Sequence, residues 1–412
     1  MCTDVLVASK DKKQVVNARS QEFNGAVGYR LMVRQPGRVD LTMPTKTSTK
    51  KGWSLDPSEP ETFHSRHAYI GLMMTTPLRD GAIPISTAVF DGMNSAGLSV
   101  GCLLFPGAEY QKKQDGTNNV FIGFFVDWLL SNYATCEQVR KAFSSNELRV
   151  VFENKGGFNK EEIEKNLGQH FAVHDAVGNS LVVEFIKGNL ELNDNPVGVL
   201  TNLPSFPWHL TNLGLYARLS NFDTSRAVYF GVGDAPEKDE DHYDGPLLKY
   251  APPGSPSAGP LDGAPFHSTG IPGVGDGLSG IPGDFRPASR FVRIAYLNHF
   301  AVAPKTGDEA VAQAFHLLNS IDIVKGVAAE KDKEGHVTYD TAQCVVVKDL
   351  INKVFYVRMY DSPMPYSISF DDVRNWPDDG KGIQMTIPAG SLAQPLSAND
   401  RYQTPEPALV LA

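Results

Sequence analysis

Alternating hydrophobic and polar positions predict a series of β-hairpins along the chain. The first hairpin joins Thr3–Ser9 to Gln14–Arg19 through the polar turn Lys10–Lys13. Short apolar runs separated by turn residues predict three further pairs: Ile85–Phe90 with Leu98–Leu104, Phe171–His174 with Leu181–Phe185, and Cys344–Val347 with Val354–Val357. Because the strands of a hairpin run antiparallel, this pattern indicates antiparallel sheets.

Helical periodicity appears between these hairpins. Apolar residues recur every three or four positions in Ile122–Asn132, Ala288–Phe300 and Glu309–Ile321. The sequence Thr-Cys-Glu-Gln at Thr135–Gln138 is typical of a capping box that starts another helix. Strands, then a helical block, then strands again favour an α+β fold in which helices cover the outer faces of sheets.

Composition is compatible with one large folded domain over residues 1–412. Hydrophobic residues make up 42% of the chain and charged residues 21%, which is usual for globular proteins. The segment Gly231–Gly280 differs from the rest, because it is rich in glycine, proline and acidic residues. It cannot form a core element, so we expect a surface loop or an arm that contacts another subunit.

Charge and hydropathy exclude two classes of partner. The formal net charge is −9 and the basic residues are scattered, so nucleic-acid binding is not expected. No apolar run approaches the roughly 18–20 residues of a membrane helix, so membrane insertion is not expected. The start of the chain does not resemble a signal peptide. We expect a cytoplasmic protein if Met1 is the native start, and a periplasmic or secreted one if a signal peptide preceded it.

No metal or organic cofactor is expected. The four cysteines are widely spaced and form no Cys-x-x-Cys pair of the kind that binds zinc. His170 and His174 fall on one side of a predicted strand, but no cluster of carboxylates or cysteines accompanies them. Cys102 and Cys136 lie in apolar patterns and are predicted to be core thiols.

Cys2 is the most informative candidate for catalysis. Removal of Met1 would leave Cys2 with a free α-amine, and α-amines ordinarily have a pKa of about 7.7–8.0. One residue would then supply both the nucleophile and its base. The first hairpin brings Arg19 back beside residue 2, where a guanidinium would favour the thiolate. Glu22 could pair with Arg19 or with the α-ammonium.

Four ordered segments resemble the choloylglycine hydrolases, the family that includes bile salt hydrolases and penicillin V acylases. The first is Met1-Cys2-Thr3 with the strand that ends at Arg19, and the second is the Gly-Met-Asn turn within Asp91–Leu98. The third runs from Val197 through Asn202 to Leu213, and the fourth is the Pro-Gly-Asp…Ser-Arg-Phe motif within Gly280–Phe291. Their order and approximate spacing agree over residues 2–365.

The resemblance implies a fold, an activity and a set of residue roles. The implied fold is a four-layer αββα sandwich of the N-terminal-nucleophile hydrolase type, and the implied activity is hydrolysis of linear C–N amide bonds. Cys2 is similar to the family's nucleophile, Arg19 to the arginine beside the thiol, and Asn202 to the oxyanion-hole amide. Arg290 is similar to the arginine that completes the charge network. A homo-oligomer, either a dimer or a tetramer, is expected.

Three positions depart from the family pattern or are ambiguous. Glu22 stands where the gut bile-salt enzymes have Asp, which keeps the charge but moves the carboxylate. Leu104 stands where the family often has Asn or Tyr before Phe-Pro, so it is a candidate determinant of substrate specificity. Trp208 lies beside the Asn202 motif and is a candidate for lining the substrate pocket.

Two other functions stay open at this point. One is an acylase for N-acyl homoserine lactones or fatty amides, which would use the same chemistry on another substrate. The other is a catalytically silent binding protein on the same fold. A thioester trapped on Cys2 would distinguish an enzyme from a binder, whereas a retained Met1 would favour the silent protein. The expected substrate is a small amide with an apolar acyl group.

Overall fold

A computed structural model gives the fold of this chain. It describes residues 1–24, 28–42, 44–49, 52–57, 59–75, 87–152, 164, 168–221, 277–278, 280–331 and 335–388. Most of the Gly231–Gly280 segment, and the predicted strand residues Ile85 and Ser86, therefore lie outside the described residues. The expectation of a surface loop or an assembly arm in that segment stays a prediction.

The elements of the described residues are strands joined by turns, with α-helices in four regions of the chain. The strands are β1 (Cys2–Ala8), β2 (Val15–Phe23), β3 (Gly28–Arg34), β4 (Gly37–Leu41), β5 (Pro44–Thr49), β6 (Gly52–Pro57), β7 (Glu61–Ser65), β8 (Tyr69–Thr75), β9 (Asp91–Asn94), β10 (Ser99–Leu104), β11 (Asn118–Phe121), β12 (Leu148–Val151), β13 (Gln169–His174), β14 (Ser180–Ile186), β15 (Asn189–Asp194), β16 (Val199–Leu200), β17 (Ala328–Lys331), β18 (Val337–Asp349), β19 (Val354–Met359), β20 (Tyr366–Ser369) and β21 (Ile383–Thr386). The α-helices are α1 (Phe125–Asn132), α2 (Cys136–Ser144), α3 (Phe206–Leu213), α4 (Pro287–Phe300), α5 (Gly307–Asn319) and α6 (Phe370–Val373), and short 3₁₀ helices cover Ile122–Phe124 and Gly214–Tyr216.

Two large antiparallel sheets form the centre of the fold. Sheet I has the strand order β16-β1-β2-β18-β19-β20, with β17 paired to β18. Sheet II has the order β15-β14-β13-β10-β9-β8-β3-β21. Helices α4 and α5 pack on sheet I, and α1 packs on β9 and β10 of sheet II. The layers are therefore helix, sheet, sheet and helix, which confirms the predicted α+β sandwich.

The two sheets face each other around Gly101. A Cβ atom at Gly101 of sheet II would lie 3.2 Å from Arg19 Cδ and 3.4 Å from Asp4 Oδ2, both in sheet I. The side chains that meet here are charged, whereas two packed sheets ordinarily interdigitate apolar side chains. This polar patch between the sheets lies directly beside the start of β1.

Most of the predicted elements are confirmed, and one strand was misplaced. Residues 87–90 are not in a strand, and β9 begins instead at Asp91, in what the sequence presents as a polar turn. β9 is nevertheless fully buried, because Asp91 contacts buried cations and Asn94 Nδ2 donates to the carbonyls of Leu130 and Tyr133 at 2.7 Å each. Such long-range partners are invisible to a local polarity pattern.

The predicted capping box at Thr135 is only half formed. The Thr135 side chain accepts a hydrogen bond from Gln138 N and caps α2 as expected. The Gln138 side chain returns to the backbone N–H of Ala134 rather than to that of Thr135. The helix start was therefore predicted correctly, although the reciprocal bond lies one residue earlier.

The chain divides into two compact units. The first, Met1–Asn212 with Gly283–Ala412, contains both large sheets. The second is Leu213–Pro282, of which few residues are described; there Leu278 N donates to Ser220 O at 2.7 Å. Among the described residues, no helix combines the length and the apolar character needed to span a membrane.

Candidate active site

Cys2 begins β1 and lies almost fully buried at the edge of the polar patch. In the β1–β2 ladder Cys2 lies opposite Gln21, and Asp4 lies opposite Arg19. This register places Arg19 diagonally across from Cys2, so that Arg19 Nη2 lies 3.0 Å from Cys2 Sγ. The structure therefore brings together the thiol and the guanidinium that the hairpin pattern predicted to be neighbours.

The carboxylate partner of Arg19 is Asp91, not Glu22. Arg19 Nη1 lies 3.5 Å from Asp91 Oδ2, and the guanidinium also stacks over the Phe90 ring at 5.1 Å. Burial alone would lower the pKa of Arg19, but the negative charges of Cys2 and Asp91 outweigh it and raise that pKa above its usual value. Arg19 is therefore a permanently charged group held against the sulfur.

Glu22 belongs to a second group of charges, on the outer side of sheet I. Its Oε2 lies 3.6 Å from Arg290 Nη1, and its Oε1 accepts a short hydrogen bond from Ser20 Oγ. Side chains an odd number of positions apart on a strand point to opposite faces. Glu22 and Arg19 are separated in this way on β2, so they cannot meet. The backbone of Glu22 instead pairs with Met1, because Glu22 N donates to Met1 O at 2.8 Å.

Asn202 and Arg290 hold the backbone of Cys2. The backbone N–H of Cys2 donates to Asn202 Oδ1 at 2.8 Å. Arg290, in the first turn of α4, donates from Nη1 to the Cys2 carbonyl at 2.7 Å and from Nη2 to Asn202 Oδ1 at 2.9 Å. Thr3 Oγ1 accepts a further, short bond from Arg290 Nη1. Cys2 is thus contacted at its sulfur, its nitrogen and its carbonyl oxygen by three different side chains.

The two candidate substrate-binding residues occupy different positions. Leu104, the last residue of β10, accepts a hydrogen bond at its carbonyl from Asn202 Nδ2 at 2.7 Å, so it lies at the site. Trp208 lies on α3 and is 43% exposed, with its ring edge-on to His209 at 5.5 Å. Because Trp208 is this exposed, it is not a core residue, and it remains a candidate for contact with substrate.

Sequence reasoning missed a buried charge cluster behind Arg19. Asp91 Oδ1 makes a short ion pair with Lys348 Nζ, and Asp4 Oδ1 lies 2.6 Å from His174 Nε2. Burial would raise the pKa of Asp4, but His174, Lys348 and the Asn17 amide together lower it. The available signal was a charged residue in an otherwise apolar strand, as with Asp4 in Thr3–Ala8 and Lys348 at the end of β18.

Cys102 and Cys136 are buried, as predicted for core thiols. Cys102, Cys136 and Cys344 are buried free thiols, and burial raises the pKa of Cys102 to about 12. His170 and His174 bind protein groups on other strands and loops. Within the described residues, no group of three or more His, Cys, Asp or Glu side chains could hold a metal ion.

Comparisons with known proteins agree with this geometry. A family model described as linear amide C–N hydrolases, choloylglycine hydrolase family, matches residues 2–232 and 265–374. The chain is 29% identical to a bile salt hydrolase/transferase of Clostridium perfringens over 278 residues, which cover 66% of this chain and 69% of that protein.

Two solved structures share the fold. A mutant conjugated bile acid hydrolase from Clostridium perfringens is similar with a TM-score of 0.64 and 22% identity, covering 96% of this chain and 99% of that one. Penicillin V acylase from Agrobacterium tumefaciens is similar with a TM-score of 0.58 and 17% identity, covering 90% and 86% of the two chains. At these identities the likeness establishes the architecture.

Proposed function

The chain belongs to the choloylglycine hydrolase family of linear amide C–N hydrolases, as its motifs predicted, and we propose that Cys2, freed of Met1, is the nucleophile of this activity. One observation carries the proposal: Cys2 Sγ lies 3.0 Å from Arg19 Nη2 while its nitrogen lies 2.8 Å from Asn202 Oδ1. A thiol and a nitrogen held in this way form a ready nucleophile and base.

The reaction proceeds through a thioester. The α-amine takes the thiol proton, and the thiolate attacks the carbonyl carbon of the amide. The tetrahedral intermediate collapses as the α-ammonium returns that proton to the leaving nitrogen, so the amine departs neutral. Water then attacks the thioester, gives one proton to the α-amine, and leaves a carboxylic acid and the restored thiol.

Asn202 holds the oxyanion in this scheme. Its Nδ2 carries two hydrogens, and one is donated to Leu104 O. The second is available to the oxygen that becomes charged during attack. Arg290 and Glu22 support Asn202 and the Cys2 backbone from the outer side of the sheet. A fixed amide donor of this kind typically contributes about 10²–10³ in turnover.

The proposed substrate is a small amide with an apolar acyl group. The relatives named above are a bile salt hydrolase/transferase and a penicillin V acylase, and bile acids and penicillin V both contain a largely apolar acyl group. Leu104, whose backbone carbonyl contacts Asn202, is the apolar residue proposed to face the substrate. An acylase for N-acyl homoserine lactones or fatty amides is the second candidate, because it would use the same nucleophile and oxyanion donor on another substrate. A silent binding protein is the third.

Assembly and location belong to the same proposal. We expect a homo-oligomer, a dimer or a tetramer, in which the Gly231–Gly280 segment reaches a neighbouring subunit. Sedimentation of a variant with this segment shortened tests the arm, and an unchanged oligomer would count against it. The protein is expected in the cytoplasm if Met1 is its native start, and in the periplasm or outside the cell if a signal peptide preceded it.

Intact-mass spectrometry tests the catalytic proposal. The active protein is expected to lack Met1, and brief exposure to penicillin V, a glycine-conjugated bile acid or a long-chain acyl amide should add one acyl mass to it. Cys2→Ala should abolish both the adduct and turnover while the protein stays folded. Full turnover by protein that quantitatively retains Met1 would refute the mechanism.

A further inference from the structure

Two buried histidines bind the backbone on either side of the Asn202 α-carbon. His170 Nε2 lies 2.7 Å from the carbonyl oxygen of Thr201. His209 Nε2 lies 2.8 Å from the carbonyl oxygen of Asn202 itself. Both imidazoles are fully buried. The peptide groups that orient the Asn202 side chain are therefore each tied to an imidazole from a different element, β13 and α3.

Hydrogen-bond chemistry fixes the protonation of the contacting nitrogens. A carbonyl oxygen only accepts, so Nε2 of each histidine must carry a hydrogen. On the far side of His170, Nδ1 lies 3.0 Å from Glu184 Oε1. One shared proton must lie between those two atoms, whichever of them carries it. The Glu184–His170 pair therefore maintains the hydrogen bond that His170 Nε2 donates to the Thr201 carbonyl.

Packing prevents either imidazole from rotating away. The His170 ring stacks on Phe105 at 4.6 Å with an interplanar angle of 17°. The His209 ring stacks on Phe291 at 4.7 Å with an angle of 15°. Offset stacks of this kind restrict ring orientation. The Nε2–H group of each histidine therefore keeps a fixed direction toward its carbonyl oxygen.

Glu184 also fixes the chain beyond Asn202. Its two carboxylate oxygens accept from Phe206 N, the first residue of α3, at 3.0 and 3.2 Å. The loop between Asn202 and α3 is thus held at both of its ends by one carboxylate and its histidine. Neither the thiol nor Arg19 contacts Glu184, His170 or His209 through any hydrogen bond of the described residues.

We propose that Glu184, His170 and His209 form a clamp that positions Asn202 for oxyanion stabilisation. The proposal rests on the proposed function, since it assigns the clamp to the oxyanion side of that site. The clamp residues touch no reacting atom, so they are positioning residues, and their effect must pass through Asn202. A clamp of this kind acts mainly on the step in which an oxyanion forms, because the contact of Arg19 with the sulfur does not pass through it.

Two reagents that react with the same thiol separate an effect on the oxyanion from an effect on thiol reactivity. Acylation of Cys2 by p-nitrophenyl hexanoate develops an oxyanion, whereas alkylation by iodoacetamide does not. His170→Phe keeps an aromatic ring beside Phe105 but removes both hydrogen bonds. We expect acylation to slow by about 10²-fold, as for loss of an oxyanion donor, while alkylation stays within about twofold, because Arg19, which contacts the sulfur, has no hydrogen bond to the clamp. In amide turnover the loss should fall on kcat rather than on KM.

A double-mutant cycle shows whether the effect passes through Asn202. Asn202→Ala alone should slow acylation by a similar factor, and His170→Phe added to it should slow acylation no further, because the clamp then has nothing to position. Additive losses would overturn the clamp. If Asn202→Ala leaves acylation unchanged, the oxyanion assignment itself is wrong, and this outcome is distinguishable from a failure of the clamp alone.

Four further variants test whether the effect is a simple loss of folding. His209→Phe removes the hydrogen bond to the Asn202 carbonyl and leaves the one from His170 to Thr201 in place. If His170→Phe does not fold, His209→Phe should still slow acylation without slowing alkylation. Glu184→Ala should resemble His170→Phe, and Glu184→Gln should recover most of the loss, because a glutamine can donate to His170 Nδ1 and accept from Phe206 N. Tyr69→Phe is the control: it removes a buried hydrogen bond to Asp127 that belongs neither to the clamp nor to the charge cluster, and it should leave the ratio of the two rates unchanged. If the clamp variants slow acylation and alkylation of Cys2 equally, the three residues have a general structural role.

Discussion

Two arginines hold Cys2 in different ways. Arg19 comes from the neighbouring strand and contacts the sulfur, whereas Arg290 comes from a helix and contacts the Cys2 carbonyl. Asn202 stands between them, with its oxygen on the Cys2 nitrogen and its amide on Leu104. Each of these contacts is made by one side chain. Single substitutions should therefore separate effects on substrate preference from effects on the catalytic step.

Leu104 should set part of the substrate preference. Leu104→Asn restores a side-chain amide at a position whose carbonyl already contacts Asn202. A new hydrogen bond to a polar substrate would be worth up to about tenfold in kcat/KM. We expect kcat/KM for a glycine-conjugated bile acid to rise relative to penicillin V. Val177→Asn, at an exposed position in the β13–β14 turn, is the control. Native protein that cleaves only bile-acid conjugates, with no response to Leu104→Asn, would place the determinant elsewhere.

His209 should make stability depend on acid pH. Burial lowers the pKa of His209 from 6.5 to about 4 in the folded protein. As pH falls below 6.5, the unfolded chain takes up a proton that the folded chain refuses, so the free energy of unfolding decreases until about pH 4. The penalty is roughly 2 kcal/mol at pH 5. Urea denaturation of the native protein and of His209→Phe at pH 7.5 and 5 measures it. A stability difference between the two proteins that does not change with pH would contradict this assignment.

At the scale of elements, β9 shows how two sheets and a helix meet on one short strand. β9 pairs with β8 and β10, and Gly92 lies directly opposite Gly71 in β8. A Cβ at Gly92 would lie 2.8 Å from both Ile70 O and Leu130 Cδ1. The absence of a side chain therefore lets α1 pack onto the strand. Together with the buried partners of Asp91 and Asn94, this close packing accommodates a strand at Asp91–Asn94, whose composition is typical of a turn.

Gly92→Ala should loosen this contact. The new methyl group would collide with a strand carbonyl and with Leu130 of α1. We expect a loss of about 1–3 kcal/mol in the free energy of unfolding. Chemical denaturation compared with Gly283→Ala measures it, because a Cβ at Gly283 meets nothing within 4 Å. Equal stability of the two variants would show that α1 and β8 adjust freely.

At the scale of the whole molecule, the interior between the sheets is partly ionic. Asp91 reaches from sheet II to Arg19 and Lys348, both of sheet I, and all three side chains are at most 3% exposed. Burial raises the pKa of Asp91, while Lys348 and Arg19 oppose that effect. Buried ion pairs often contribute little net stability compared with apolar packing. Their retention beside Cys2 is consistent with a functional role for the charge on Arg19.

Removing Asp91 should therefore cost far more than removing a surface carboxylate. Asp91→Ala leaves Lys348 buried without its partner, and we expect a loss of about 3–5 kcal/mol in the free energy of unfolding. Asp371→Ala breaks the exposed pair with Arg374 and should have no measurable effect. Thermal and urea denaturation of both variants provide the measurement. Similar stability for the two variants would mean that water or a local rearrangement compensates Lys348.

The sequence by itself determined the strands and helices whose formation depends on residues close together in the chain. It predicted the β1–β2 hairpin, the strand pairs β13–β14 and β18–β19 and helices α1, α4 and α5, because hydrophobic period and turn residues are local properties. It also proposed Cys2, Arg19, Asn202 and Arg290 as candidate site residues, through motifs that are contiguous in the chain. The contact of Arg19 with Cys2 followed from the hairpin alone, since the turn sets the register.

Only the tertiary structure decided which distant groups meet. It gave Arg19 the partner Asp91 instead of Glu22, because the pleat of β2 sends those two side chains to opposite faces. It also made a strand of Asp91–Asn94 and placed His170 and His209 on the carbonyls around Asn202. Apart from the contact of His209 with Asn202, which lie seven residues apart, these pairings join elements far apart in the chain, and their energy comes from burial and complementary charge. No local pattern of residues records such partners, so the sequence could propose the participants but not their contacts.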